Sequence, residues 1–333
     1  MNPLRRSGAI AALTLALLIH AGEAAAQGAT PGGNQRFPIR PVTLVVPFPP
    51  GGSADAAARI VAENLKEQWK QPVVVENRAG AGTTIAAAFV AAAPADGYTI
   101  YLTGSISHAS SGALYQKLSY DVTRGFAVVG RVSASPFILV VHPSVGASSV
   151  KELVELAKGK PGTLTYASSG NGAAPHLAAE MFASTMGIKV VHVPFKGTAP
   201  ALNALLGGHV HFQFADVAAL PHVRSGKLRA LAVTTARQSP LVPGVPTMME
   251  AGVPTFDVPS ATVILAPAGT PRDVITLLNG ALNRALASED VRRRLNAQGF
   301  EPAPTTPEKA GEMLAAEARR YGEIIRNAGI QID

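Results

Sequence analysis

Pro47-Phe48-Pro49-Pro50-Gly51-Gly52-Ser53-Ala54-Asp55 is the stretch on which the reading of this chain turns. Val42-Thr43-Leu44-Val45-Val46 precedes it, β-branched and apolar, and reads as a strand. After it, from about Ala54, the residues Val61, Leu65 and Trp69 recur at four-residue spacing and read as one face of a helix. Two glycines in such a strand-to-helix loop let the backbone bend sharply and meet a ligand with no Cβ in the way. The free N–H groups of a helix start, at the positive end of its dipole, favour a carboxylate or phosphate. No Lys stands in the loop, so the GxxxxGK[ST] nucleotide pattern is not met. Pro50, Gly51, Gly52, Ser53, Ala54 and Asp55 are therefore expected to cradle a small anion.

The same alternation continues along the chain. Strands are expected at 42–46, 73–76, 98–102, 126–130, 137–142, 163–167, 190–193, 210–215, 228–234 and 262–266. Helices are expected at 54–69, 83–93, 149–158, 175–186, 198–206, 271–286, 289–297 and 307–327. This pattern argues for an α/β protein with mostly parallel sheets and right-handed crossovers, whose ligands sit beyond the carboxyl ends of strands. Two fully apolar runs, Phe137 to Val141 before His142-Pro143 and Thr262 to Leu265 between Pro259 and Pro267, read as crossings between lobes. One lobe then holds 37–137 and 263–333, the other 138–262. In the last helix Thr306 caps, Pro307 fits the first position, and Ala310, Met313, Leu314, Tyr321, Ile324 and Ile325 form an apolar stripe that packs on a lobe or docks a partner.

A second loop has the design of the first. Leu164-Thr165-Tyr166-Ala167 reads as a strand, Ser168-Ser169-Gly170-Asn171-Gly172 as a loop, and Pro175-His176-Leu177 opens a helix. Its hydroxyls and backbone N–H groups are expected to grip the other side of the same solute. Thr103 and Ser105, in Thr103-Gly104-Ser105-Ile106-Ser107-His108 after the strand 98–102, are further candidates. Gly80-Ala81-Gly82 either adds backbone donors or is a tight connection, and Lys196 either pairs with an anion or is solvated. Asp216, at the end of the strand 210–215, either accepts a hydrogen bond from a ligand or caps the turn from Val217 onward.

Catalytic and metal chemistry find little footing. No GxSxG occurs, and Gly170-Asn171-Gly172 is only a fragment of GxGxxG because Pro175 takes the third glycine position. His209 and His211 share a strand face without HExxH or a carboxylate cluster, so neither metal nor cofactor is expected. The 333 residues contain no Cys, which rules out disulfides, thiolate metal sites and a cysteine nucleophile. An export signal opens the chain: Arg5 and Arg6, an apolar core from Ala9 to Ile19, and Ala24-Ala25-Ala26 as the cleavage motif before Gln27. That core is too short to span a bilayer, which needs about 20 apolar residues. Gln27 to Arg36 reads as a flexible leader, and the remainder suffices for about two domains. Net charge is +7, but only 5% of residues are aromatic and the basic ones are scattered, so nucleic acid is not expected as a partner.

Taken together the chain resembles the Bug-type solute receptors of tripartite tricarboxylate transporters across nearly all of the mature sequence. The landmarks are Pro41 to Phe48 with Pro50-Gly51-Gly52 and Asp55, Val75-Glu76-Asn77-Arg78 with Gly80-Ala81-Gly82, Ala95-Asp96-Gly97-Tyr98-Thr99, and Tyr120-Asp121. Tyr166 to Gly172 with His176-Leu177, His192 to Gly197, Leu205-Leu206-Gly207-Gly208, Gly226 to Thr234 and Val245-Pro246-Thr247 continue them in order. The resemblance implies a monomeric, periplasmic, two-lobed receptor of the type II binding-protein kind. It closes on a small carboxylate and delivers it to membrane permease subunits. It also implies that backbone N–H groups and waters at Pro50–Ala54 and Ser168–Gly172 hold the carboxylate. Two departures bear on the cleft. Ala261-Thr262-Val263 stand where the family often has Trp, an aromatic and Gly, and Ala173-Ala174-Pro175 replace small polar residues. An exported serine hydrolase using Ser169 or Ser105 with His108 or His176, and a sensory receptor sharing the same cleft, are the alternatives.

Overall fold

Among the described residues, ten strands in a computed structural model divide between two five-stranded sheets. Residues 37–330 are described; the export signal, its cleavage after Ala26 and the leader lie outside them. From Arg40 onward the chain forms one compact unit.

The first sheet contains β1 (Val42–Val46), β2 (Val73–Asn77), β3 (Thr99–Gly104), β4 (Phe126–Ser135) and β10 (Ser260–Pro267), in the order β2-β1-β3-β10-β4. The second contains β5 (Ile138–Val141), β6 (Thr165–Ser168), β7 (Val191–Pro194), β8 (Phe212–Ala215) and β9 (Arg229–Val233), in the order β7-β6-β8-β5-β9. Both sheets depart from an all-parallel plan in the same way. β1 pairs in parallel with β2 and β3, whereas β10 is antiparallel to β3 and β4. Likewise β6 pairs in parallel with β7 and β8, whereas β5 is antiparallel to β8 and β9. Each reversed strand is the one that arrives from the other sheet. It must therefore start at the edge where the parallel strands end.

Around the sheets lie α1 (Ser53–Trp69), α2 (Thr84–Ala91), α3 (Ser105–Leu114), α4 (Val150–Gly159), α5 (Ala174–Met186), α6 (Thr198–Leu206), α7 (Leu220–Arg224), α8 (Arg272–Ala287), α9 (Glu289–Ala297) and α10 (Pro307–Ala328). All ten strands and eight of these helices fall where the apolar pattern placed them, give or take a few residues at their ends. α3 and α7 do not, and α3 is the costlier omission for the site. Its sequence, Ser-Ile-Ser-His-Ala-Ser-Ser-Gly-Ala-Leu, is rich in residues that compete with helix for backbone hydrogen bonds. The structure resolves the conflict by burial: Ser111 Oγ donates back to the His108 carbonyl at 2.8 Å, and Ile106 and Leu114 are buried in the core.

The chain leaves the first sheet at Ser135 and enters the second at Ile138, then returns between Val233 and Ser260. Thr234 fastens the two crossings together. Its Oγ1 accepts the Phe137 N–H at 2.9 Å and donates to the Val258 carbonyl at 2.7 Å, while its backbone bonds to both the same residues. A third strap runs beside β4, where the Ala134 N–H donates to Glu301 and the Ala303 N–H to Val132. The apolar stripe of α10 serves both sheets rather than one. Leu314 packs with Tyr101, Phe126 and Leu265, whereas Tyr321 and Ile325 join Leu177, Phe182 and Phe214 of the second sheet's core.

Candidate functional site

A cavity of about 550 Å³ opens between the carboxyl ends of the two sheets. Four helices begin on its wall: α1 at Ser53 and Ala54, α3 at Ile106 and Ser107, α5 at Ala174, and α6 at Thr198. The residues that precede them are Gly52, Gly104, Ala173 and Gly197, and no side chain caps any of the four. Away from the cavity, α4 and α10 are capped by Ser149 and Thr306, whereas α2, α7, α8 and α9 have no side-chain cap. First-turn N–H groups have no acceptor within their own helix. Without a capping oxygen they are left for a ligand, two helix starts from each sheet, with their dipoles adding. Because β10 runs against β3, with Thr262 beside Gly104, its first residues Ser260, Ala261 and Thr262 close the wall between. Phe48, Leu102 and Phe300 complete it, and among the described residues no charged side chain lines it.

The loop before α1 is fixed by charge. The Asp55 carboxylate accepts from the Gly51 N–H at 3.0 Å, from Arg59 Nε and Nη2 at 2.9 and 3.0 Å, and from Asn77 Nδ2 at 2.9 Å. The Arg59 hydrogen bonds hold its carboxyl down to about 2. Asn77 also donates to the Phe48 carbonyl, so strand, loop and helix are tied at one point. Gly51 needs its glycine, since its φ is +84°. Gly52 has an ordinary φ of −80°, and a Cβ there meets only the Pro49 carbonyl oxygen at 3.8 Å. Gly52 thus leaves the cavity open rather than turning the chain.

The loop before α5 is fixed by neutral rings. His176 and His192 stack with centroids 3.8 Å apart and planes 9° from parallel, and Tyr166 stacks on His192 at 4.9 Å. His176 Nδ1 accepts the Gly172 N–H at 2.9 Å. His192 Nε2 lies 2.6 Å from Ser168 Oγ, which accepts the Gly170 N–H at 3.1 Å. The Tyr166 hydroxyl donates to Glu180. Burial pushes His176 down to about 3, helped by its neighbour His192, and His192 down to about 4.

Of the residues singled out in the sequence, Pro50, Gly52, Ser53 and Ala54 line the cavity. Gly51 and Asp55 shape the loop behind them. Thr103 and Ser105 are buried, and their neighbours Gly104, Ile106 and Ser107 reach the wall instead. The Gly170 and Gly172 N–H groups are spent on Ser168 and His176. Ser168, Ser169, Gly170, Asn171 and Gly172 form the turn that sets the start of α5, where Ala174 faces the cavity. Asp216 caps: its Oδ1 accepts the Ala218 N–H at 2.9 Å, and burial raises its carboxyl. The α6 start at Thr198, together with Ser260 and Phe300, was missed. Thr198 had a signal in the glycine before it, whereas Ser260 and Phe300 reach the wall only through the fold.

Residues 57–330 match the family described as tripartite tricarboxylate transporter family receptor, and the chain belongs to that family of periplasmic solute-binding receptors. It is 38% identical over 306 residues to Protein BugT of Bordetella pertussis, covering 91% of this chain and 94% of BugT. Among solved structures it resembles R. palustris Rpa4515 with adipate, at 36% identity and a TM-score of 0.76, covering 89% of this chain and all of that one. MatC from Rhodopseudomonas palustris with bound malate is 33% identical, with a TM-score of 0.73 over 87% of this chain and 100% of MatC.

Proposed function

We propose that this receptor is not an enzyme and captures a small carboxylate between its lobes, closing by rotation about the crossings fastened at Thr234, and passes it to membrane permease subunits. The observation that carries the reading is the meeting of four uncapped helix starts on one cavity whose lining bears no charge. An anion there finds N–H donors set in place before it arrives, each charge-assisted bond contributing about 1.5–3 kcal/mol. The adipate and malate held by Rpa4515 and MatC support the same ligand class. The lobes, 37–137 with 263–333 and 138–262, meet through α10, whose Tyr321 and Ile325 join the second sheet's core, and at Gly299, where a Cβ would fall 1.9 Å from Val217 Cγ2. The working form is the exported chain cut after Ala26, acting as a monomer.

The hydrolase alternative lacks its pairs. His108 Nε2 lies 3.0 Å from the Val122 carbonyl oxygen, and His176 Nδ1 is taken by Gly172, so neither imidazole is hydrogen-bonded to Ser105 or Ser169. Ser168, which does meet an imidazole, is fully buried away from the cavity.

Calorimetry with a panel of carboxylates tests the reading on the wild type and Gly52→Val. The valine has room on the backbone but fills the cavity, so affinity is expected to fall about a hundredfold with the melting temperature little changed. Equal affinity in a folded variant removes the cradle.

A further inference from the structure

The reading of the cavity as a carboxylate site leaves open what the rest of the ligand is. The groups on the wall separate by position. Ser53, Ser107 and Thr198 stand in the first turns of α1, α3 and α6, where the N–H donors are. Away from those turns, Phe48, Ala261 and Phe300 face the cavity, with hydroxyls among the described residues only from Ser260 and Thr262. Ala174 adds to the apolar part from α5.

The charge available is also bounded. Each helix start is equivalent to roughly half a positive charge, so four supply about two. Beside the lining, Asp55 is committed to Arg59 and Asn77 and Glu301 to the Ser239 hydroxyl, while the exposed Lys196, two residues before Thr198, is not among the lining residues. Nothing on the wall compensates a third carboxylate. Nor do Phe48, Ala261 and Phe300 replace the water that a hydroxylated ligand body would lose on entry. A cavity of about 550 Å³ lies in the range that buries most of a ligand's surface, so those losses count.

We infer that the receptor selects mono- or dicarboxylates whose body is plain hydrocarbon, chain or ring, and discriminates against hydroxylated acids and tricarboxylates of similar length. Calorimetry on the exported full-length chain with matched pairs tests this: adipate against its tetrahydroxy analogue galactarate, succinate against tartrate, and citrate alone. Each hydrocarbon acid is expected to bind about tenfold tighter than its hydroxylated twin or better, with citrate weaker than adipate. A hydroxylated twin that binds as tightly, or citrate binding tightest, overturns the inference while leaving the carboxylate site standing. No heat from any acid removes the site itself. In Phe300→Ser, at a half-buried position that tolerates a polar side chain, adipate is expected to weaken more than galactarate. An unchanged ratio in that folded variant also overturns the inference.

Discussion

Strand for strand, β6, β7, β8, β5 and β9 of the second sheet repeat β1, β2, β3, β10 and β4 of the first, yet the two sheets offer the cavity different helix starts. The first offers those after β1 and β3; the second offers those after β6 and β7. Where Gly104 ends β3 and leaves α3 uncapped, Asp216 follows β8 and caps the turn after it with its own carboxylate. Strand order therefore decides where helix starts can gather, and the side chain at each cap decides which of them is open to an anion. The fastening of the two loops differs as well. Asp55 holds the first through a partly buried ion pair, and stacked uncharged imidazoles hold the second.

The largest effect probes what the two sheets share. Tyr321 of α10 is fully buried in the second sheet's core although its helix begins against the first. Tyr321→Ala is expected to cost about 3–5 kcal/mol in urea unfolding, the range for removing a buried aromatic. A loss under about 1 kcal/mol would detach α10 from the second lobe. Next, Asp55→Ala strands the Gly51 N–H and Asn77 amide and is expected to cost about 2 kcal/mol, with carboxylate affinity falling in parallel as the loop loosens. Stability lost without any loss of affinity would separate the loop from the site.

Acid distinguishes the two fastenings. His192 has a lower pKa folded than unfolded, so its chain takes up a proton on unfolding. Its contribution is whole above pH 6.5 and fades as pH falls toward 4. Asp55, also lowered, keeps its contribution above pH 3.8 and loses it toward 2. Glu317, raised to about 7 by burial, acts oppositely between 4.5 and 7. Melting temperatures of wild type and His192→Gln are therefore expected to differ in slope between pH 6.5 and 4 and to run parallel above 6.5, Glu317 cancelling in the comparison. Parallel curves throughout would mean that the imidazole is not buried neutral. The smallest effect belongs to Asp216→Gly, which copies Gly104 into the second sheet. Stability is expected to change by a few tenths of a kcal/mol, and carboxylate affinity to rise about twofold as a nearby negative group is removed.

The loop 47–55 was legible because its neighbours are unambiguous: a β-branched strand before it and a four-residue apolar repeat after it leave little else for two glycines to do. The loop 168–172 was legible as a turn, but its donors were not. Nothing in the sequence tells that His176 and His192, sixteen residues apart, stack beneath it, with His176 consuming the Gly172 N–H. α3 was hidden by its serines, whose local hydrogen bonding makes them poor helix signals until burial removes the competing water.

By itself the sequence determined the strands, most of the helices and the glycine-rich turn after β1, because apolar periodicity and glycine placement act between residues close along the chain. Only the tertiary structure decided that four helix starts meet on one cavity, that β10 lays Ala261 and Thr262 across its wall, and that α10 packs against both lobes. Those outcomes depend on strand order and on the reversal of the two crossing strands. Such pairings join residues far apart in the chain, and burial, not local preference, selects among them.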